Sequence, residues 1–383
     1  MKKLVGTTTV VGALVLTIAA CGSKPKNDTG GSSSASSAGS SAGSSAGSTT
    51  SSGAATSGTT GGGSTFSACL VTDVGGIDDR SFNQSAYQGV KDSGVQNKFL
   101  QSQQASDYGP NIQQFVTQKC GIIVTVGFSL GDATAKAAKA NPKQKFAIVD
   151  FSYAPTLPNV KGLVYDTAQA GFLGGYLAAG MTKSGKVGTF GGERLSTVTI
   201  YMDGYYDGVQ YYNKQHHKTV QVIGWSIKDQ KSGGLFANSF TDQGKGKSIA
   251  NQLIQAGADV IFPVAGNVGL GAAAAVKSSN GKANMLWVDT DGCVSAASYC
   301  KYFISSVVKG IPESVKAAID AAKSGSFKGG NYVGTLANGG AGIAPFHDFA
   351  SKVPASLQKE LTTIKAGIIK GTIKVDSPSE PKS

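Results

Sequence analysis

The chain has 383 residues, with 35 Lys and Arg against 23 Asp and Glu, giving a formal net charge of +12 at pH 7. The basic residues are scattered, with no long basic run and no basic helix interleaved with aromatics, so the charge reads as a solvated surface facing an anionic envelope and not as a nucleic-acid footprint. Beyond the N-terminal segment no run of about eighteen apolar residues occurs, so nothing later in the chain is expected to span a bilayer.

The N-terminus opens with Lys2 and Lys3 and an apolar run over 10–20 that is too short to cross a membrane. The run closes as Ile18-Ala19-Ala20-Cys21, which resembles the bacterial lipobox, in which the cysteine is diacylated and becomes the mature N-terminus. An ordinary secretory signal that ends at a chance cysteine is the alternative. Residues 1–20 are therefore expected to be a lipoprotein signal peptide and Cys21 the lipid-bearing residue, which places the protein on the extracytoplasmic face of the cell membrane. Losing Lys2 and Lys3 with the signal lowers the formal charge from +12 to +10. Residues 21–65 are nearly all Ser, Gly, Ala and Thr, cannot bury a core, and are expected to form a disordered tether spanning roughly 35 Å.

From residue 66 onward, short apolar strands alternate with helical patterns. Strands are expected over 70–72, 122–126, 146–150, 160–165, 186–190, 220–226, 260–263, 285–289 and 302–308. Helices are expected over 83–93, 112–119, 132–141, 168–184, 202–216, 242–256, 268–279 and 312–324. This alternation argues for βαβ units and parallel sheets. It falls into two blocks, 66–165 and 186–291, each with Gly-, Asp- or Phe-bearing loops at the carboxyl ends of its strands, where open α/β sheets bind ligands. The segment 168–184 is rich in small residues and should pack closely near the join. The expected fold is an α/β, two-lobed, periplasmic-binding-protein-like (type I) clamshell, each lobe a mostly parallel sheet flanked by helices. Residues 66–165 plus 309–375 are assigned to the N-terminal lobe and 166–308 to the C-terminal lobe.

Besides Cys21 there are four cysteines, an even number that suggests disulfides in an exported protein. Cys69 and Cys120 each begin an expected strand and fall at one sheet edge if those strands are neighbours. Cys293 and Cys300 flank a short loop. Of the three possible connectivities, Cys69–Cys120 with Cys293–Cys300 is the one expected. No CxxC spacing occurs and His216, His217 and His347 lie elsewhere, so neither a metal nor a cofactor is expected.

The stretch TDVGGIDDRSFNQSAYQG (72–89) resembles the TDxGGxxDxSFNQ opening of the basic membrane protein (BMP) family of lipoproteins, which includes purine-nucleoside receptors that feed ABC importers. The resemblance continues in order through GFSLGDA, KFAIVD, AGFLGGYLAA, SFTDQGKGKSIA, GADVIFPVAGNVGLGA, WVDTDG and SSVVKG, and covers nearly the whole domain. It departs where Gly-Cys follows Asp291 in place of the usual Gln, where valine replaces the common methionine before Val308-Lys309, and in the 293–300 disulfide, which is not a general family feature.

The resemblance implies a nucleoside in the cleft between lobes, and the residue chemistry agrees. Phe82 and Phe240 come from different lobes and can stack a base, although each could instead belong to the core. Asn83 can donate to and accept from a purine edge, or cap a helix. Asp166, at the lobe junction, could meet the base or act only as a hinge carboxylate. Asp289 and Asp291 follow a buried strand and suit ribose hydroxyls. Lys309 can bond a ribose oxygen or form a structural ion pair. Gly266 permits close backbone approach or simply ends a strand. Asp73 faces the ligand or orients the 78–81 loop.

GNVGLGAAAA holds a GxG without the full dinucleotide-binding pattern, no P-loop or GxSxG is present, and no Ser-His-acid set is suggested, so an enzyme is not expected. The reading is a lipid-anchored solute-binding protein that takes a nucleoside, purine preferred, to an ABC permease and its ATPase subunits. A sugar- or autoinducer-binding lipoprotein, or an envelope adhesin or sensor of the same fold, is the alternative.

Overall fold

The computed structural model describes residues 66–381, so the signal peptide 1–20, Cys21 and the whole tether 21–65 lie outside the described residues. The first lobe is built on a parallel sheet of β1 (Ser67–Thr72), β2 (Gln96–Gln101), β3 (Ile122–Val126), β4 (Phe146–Val149) and β5 (Val160–Tyr165). The second lobe uses β6 (Lys186–Gly191), β7 (Gln221–Ile223), β8 (Val260–Val264), β9 (Asn284–Asp289) and β10 (Phe303–Lys309). Each sheet gains a sixth strand from the C-terminal region: β11 (Gly330–Gly334) joins the first and β12 (Ala341–Ile343) the second. The orders are β11-β5-β4-β3-β1-β2 and β12-β10-β9-β8-β6-β7, so the lobes repeat one topology. Among the described strands only β12 runs antiparallel to its neighbour.

Helices α1 (Phe82–Asp92), α2 (Tyr108–Thr117) and α3 (Gly131–Ala140) flank the first sheet. Helices α4 (Thr167–Met181), α5 (Ser196–His216), α6 (Gln243–Gln255), α7 (Val268–Ser278) and the short α8 (Gly292–Ser295) follow, then α9 (Ile311–Ser324) and α10 (Ala355–Ile369). Among the described residues, no helix is long and apolar enough to cross a membrane.

The small residues of α4 have a packing reason. A Cβ on Gly171 or Gly175 would strike the backbone of Tyr201 or Tyr205 on α5, and one on Gly204 or Gly208 of α5 would strike the backbone of Ala168 or Phe172. The two helices interlock through facing glycines, which brings the buried Tyr201 up to the ends of the second sheet's strands.

Several expectations need correction. Helix α5 starts at Ser196, six residues before the expected start at Met202, because the β-branched run Thr197-Val198-Thr199-Ile200 has low helix propensity that tertiary packing overrides. The polar strand β2 was not expected, since as a sheet edge it needs little apolar character. The assignment of 309–375 to the first lobe does not hold throughout: α9 packs on α1 and β11 pairs with β5, but Lys309 ends β10, β12 pairs with β10, and α10 packs on α4. The stripe Leu357, Leu361, Ile364 and Ile368 drives that last contact by burying itself in the second lobe's core.

Two disulfides join Cys69 to Cys120 and Cys293 to Cys300. The first bridges the start of the buried β1–β3 pair, where Cys69 and Cys120 belong to one apolar cluster.

Candidate functional site

The carboxyl ends of both sheets face one cavity of about 290 Å³ between the lobes. Of the expected site residues, Asp73, Phe82, Asn83, Phe240, Gly266, Asp289 and Lys309 line it. Asp166 and Asp291 do not.

The first wall is the turn after β1. The Asp73 carboxylate accepts from the Gly75 amide at 3.1 Å and from Asn83 Nδ2 at 2.7 Å. Burial pushes its carboxyl up to about 6, against the hydrogen bonds from Asn83 and Gly75, which act the other way. Asp79 accepts from the amides of Ser81, Asn83 and Gln84 at 2.9, 2.8 and 3.1 Å, and so does the capping expected of Asn83. That arrangement frees Asn83 for the cavity. Its side chain donates to Asp73, while Oδ1 is buried and has no hydrogen-bond partner. A buried acceptor without a donor is costly unless something supplies one, which makes this oxygen a candidate contact point for a ligand.

The opposite wall is organised around Lys309, which is 5% exposed. Its Nζ lies 2.8 Å from Asp150 Oδ2 on the first lobe and 3.6 Å from Asp289 Oδ1 on the second. Burial alone would lower the ammonium pKa. The two carboxylates outweigh it and the net shift is upward, so the cation is held charged. Lys309 Nζ also sits 5.1 Å from the Phe82 ring centroid and 5.2 Å from that of Tyr201. The Tyr201 hydroxyl donates to Asp289 Oδ1 at 2.8 Å, and burial holds its pKa well above the ordinary value, so it remains a donor.

Asp150 and Asp289 occupy equivalent places. Each follows or ends the third strand of the repeated order, and each has a left-handed backbone, at φ 65° and 66°. Neither is glycine, so the surrounding contacts must hold this conformation. The sequence carried a signal for Asp150: AIVD at 147–150 and LWVD at 286–289 are the same pattern, an apolar strand closed by aspartate. Sequence reasoning also missed Asp79, Tyr201, Tyr108, Phe128, Glu193 and Asn267, which line the cavity. Tyr201 had no local signal, because its role depends on the α4–α5 packing.

Asp291 is drawn away by local bonds. It caps α8 by accepting from the Cys293 amide at 3.0 Å, and its other oxygen lies 2.7 Å from His347 Nε2. Asp150, which was not among the expected site residues, is the second carboxylate beside Lys309 in the cavity lining. Asp166 precedes α4 and accepts from Gln169 Nε2 at 2.6 Å, with its carboxyl raised to about 6 by burial. Phe240 lines the cavity from the second lobe beside Gly266, whose φ is 52°. A Cβ at Gly266 would come within 3.9 Å of the Phe240 ring.

The only group of three potential metal ligands found among the described residues is Asp291, Cys293 and His347. Cys293 is committed to a disulfide, so this group does not fit a metal. The cavity itself can present two aromatic faces, a buried acceptor and a fixed ammonium–carboxylate set, which suits a flat, hydroxylated molecule with hydrogen-bond donors.

A curated relative, the ABC transporter nucleoside-binding protein BmpA of Lactococcus lactis subsp. cremoris, is 33% identical over 332 residues, covering 81% of this chain and 89% of its own. The CD4+ T-cell-stimulating antigen of Listeria monocytogenes is 31% identical over 337 residues, covering 82% and 89%. A solved ABC transporter solute-binding protein from Aeropyrum pernix superposes with a TM-score of 0.73 at 25% identity, over 82% of this chain and 94% of that one. The family model described as "ABC transporter substrate-binding protein PnrA-like" matches residues 66–377. The chain therefore belongs to the Bmp family of ABC transporter substrate-binding proteins, which bind solutes and are not enzymes.

Proposed function

We propose that this protein is a lipid-anchored receptor that closes on a nucleoside, purine preferred, and delivers it to the permease and ATPase of an ABC importer. The observation that carries the reading is the pairing of Phe82 from the first lobe with Phe240 from the second on one cavity that also holds Asn83 Oδ1. A purine needs two stacking faces and a polar edge, whereas a free pentose needs neither face. In this reading Phe82 and Phe240 sandwich the base, and Asn83 and Asp73 meet its edge. Asp289, Lys309 and Asp150 hold the ribose hydroxyls, and Gly266 lets the backbone approach. The printed name of the Lactococcus relative supports a nucleoside as the ligand class. Ligand contacts on both lobes favour the closed form by differential affinity, and the permease reads the closed outer face.

The anchor rests on the Ile18-Ala19-Ala20-Cys21 sequence behind a basic, apolar leader. Cys21→Ala should release the chain from the membrane fraction, and retention would contradict the assignment. Calorimetric titration with purine nucleosides and free ribose tests the ligand.

A further inference from the structure

Two consecutive residues of the first lobe grip three consecutive residues of the second. Ser81 Oγ lies 3.1 Å from the Val288 carbonyl and 3.0 Å from Asp289 Oδ2. The Arg80 carbonyl accepts from Trp287 Nε1 at 3.2 Å. Residues 80–81 precede α1, and residues 287–289 end β9, so every one of these bonds crosses between lobes.

The grip is built rather than incidental. Ser81 is fully buried, so its hydroxyl has no water to fall back on. Its backbone is set by the Asp79 carboxylate, which accepts its amide at 2.9 Å. Arg80 adopts a left-handed backbone at φ 59°, unusual for a non-glycine residue. On the other side, Trp287 is fully buried and stacks on Phe303, so its indole is a fixed donor.

We propose that Ser81 is a positioning residue and interlobe latch: it holds the Asp289 carboxylate in its ligand-facing orientation and, with the Arg80–Trp287 bond, stabilises the closed lobes through protein groups alone. Resting on the nucleoside reading for its effect on affinity, the latch sets how much of the population is competent to bind. Apparent affinity falls in proportion to that fraction. Asp289 Oδ1 is engaged by Tyr201 and faces Lys309, so Ser81 at Oδ2 completes the restraint on a residue with φ 66°.

The test uses the full chain with spin labels at the exposed Lys139 on α3 and Lys247 on α6, one per lobe, measured without nucleoside. Ser81→Ala should shift the interlobe distance distribution toward longer separations and weaken nucleoside binding about tenfold, the scale expected for removing a buried hydrogen-bond donor. Ser81→Thr, which keeps the hydroxyl, should restore both. An unchanged distance distribution in Ser81→Ala overturns the latch. Wild-type chain that binds no nucleoside overturns the functional reading instead, and the ligand-free distances still decide the latch.

Discussion

Lys309 on the second lobe and Asp150 on the first form a buried ion pair, Nζ to Oδ2 2.8 Å, across the cavity between the lobes. Its partners come from strands of different sheets that occupy neighbouring places in the same strand order. Asp289 lies 3.6 Å from the same cation, so one ammonium serves two carboxylates. Removing the cation leaves the buried Asp150 carboxylate without its partner and Asp289 with only the hydroxyls of Tyr201 and Ser81. Lys309→Met should lower folding stability by about 3–5 kcal/mol and abolish ligand binding. Chemical denaturation checks the first effect and titration the second; a variant as stable as wild type would show that the pair is not energetically coupled to the fold.

Phe240 lines the cavity from the second lobe and is only partly buried. Phe240→Ala should weaken nucleoside binding by about 1–3 kcal/mol through the loss of one stacking face. The measurement is calorimetric affinity at matched protein stability. Unchanged affinity would remove Phe240 from the site.

Asp73 titrates near 6 in the folded chain, against an ordinary value of 3.8, chiefly because it is buried. Between those values the folded chain retains a proton that the unfolded chain releases. The contribution of Asp73 to stability is therefore largest below the window and is lost as pH rises through it. Asp73→Asn should flatten this part of the pH–stability curve. Denaturation midpoints at pH 4.5 and 7 compare the two proteins, and an identical slope in both would contradict the raised value.

The two disulfides differ in the chain they close. Cys69 and Cys120 are 51 residues apart, whereas Cys293 and Cys300 are 7 apart. Restricting the longer loop removes more freedom from the unfolded chain. Replacing Cys69 and Cys120 by Ala should cost about 2–5 kcal/mol, and replacing Cys293 and Cys300 should cost less. Equal losses in thermal unfolding would argue against loop closure as the cause.

Much of this architecture is legible in the sequence because apolar strands and amphipathic helices alternate in it. What escapes is set by context. Strand β2 is polar because it sits at an edge, and the first turn and a half of α5 is β-branched. Helix α10 carries its apolar stripe openly at spacings of 4, 3 and 4 in Leu357, Leu361, Ile364 and Ile368, yet is absent from the expected elements. In the site, motif residues such as Phe82 and Asn83 line the cavity. Asp291 does not, because an adjacent helix amide and His347 compete for its two oxygens. Tyr201 and Ser81 act through contacts 88 and 208 residues away in sequence, which no local pattern records.

The central claim is that the cavity takes a nucleoside by its base and not by its sugar alone. Calorimetric titration of the chain with guanosine, inosine, adenosine and ribose tests it most directly. The account predicts saturable binding of the nucleosides and none of ribose. Tight ribose binding with no nucleoside heat would contradict it.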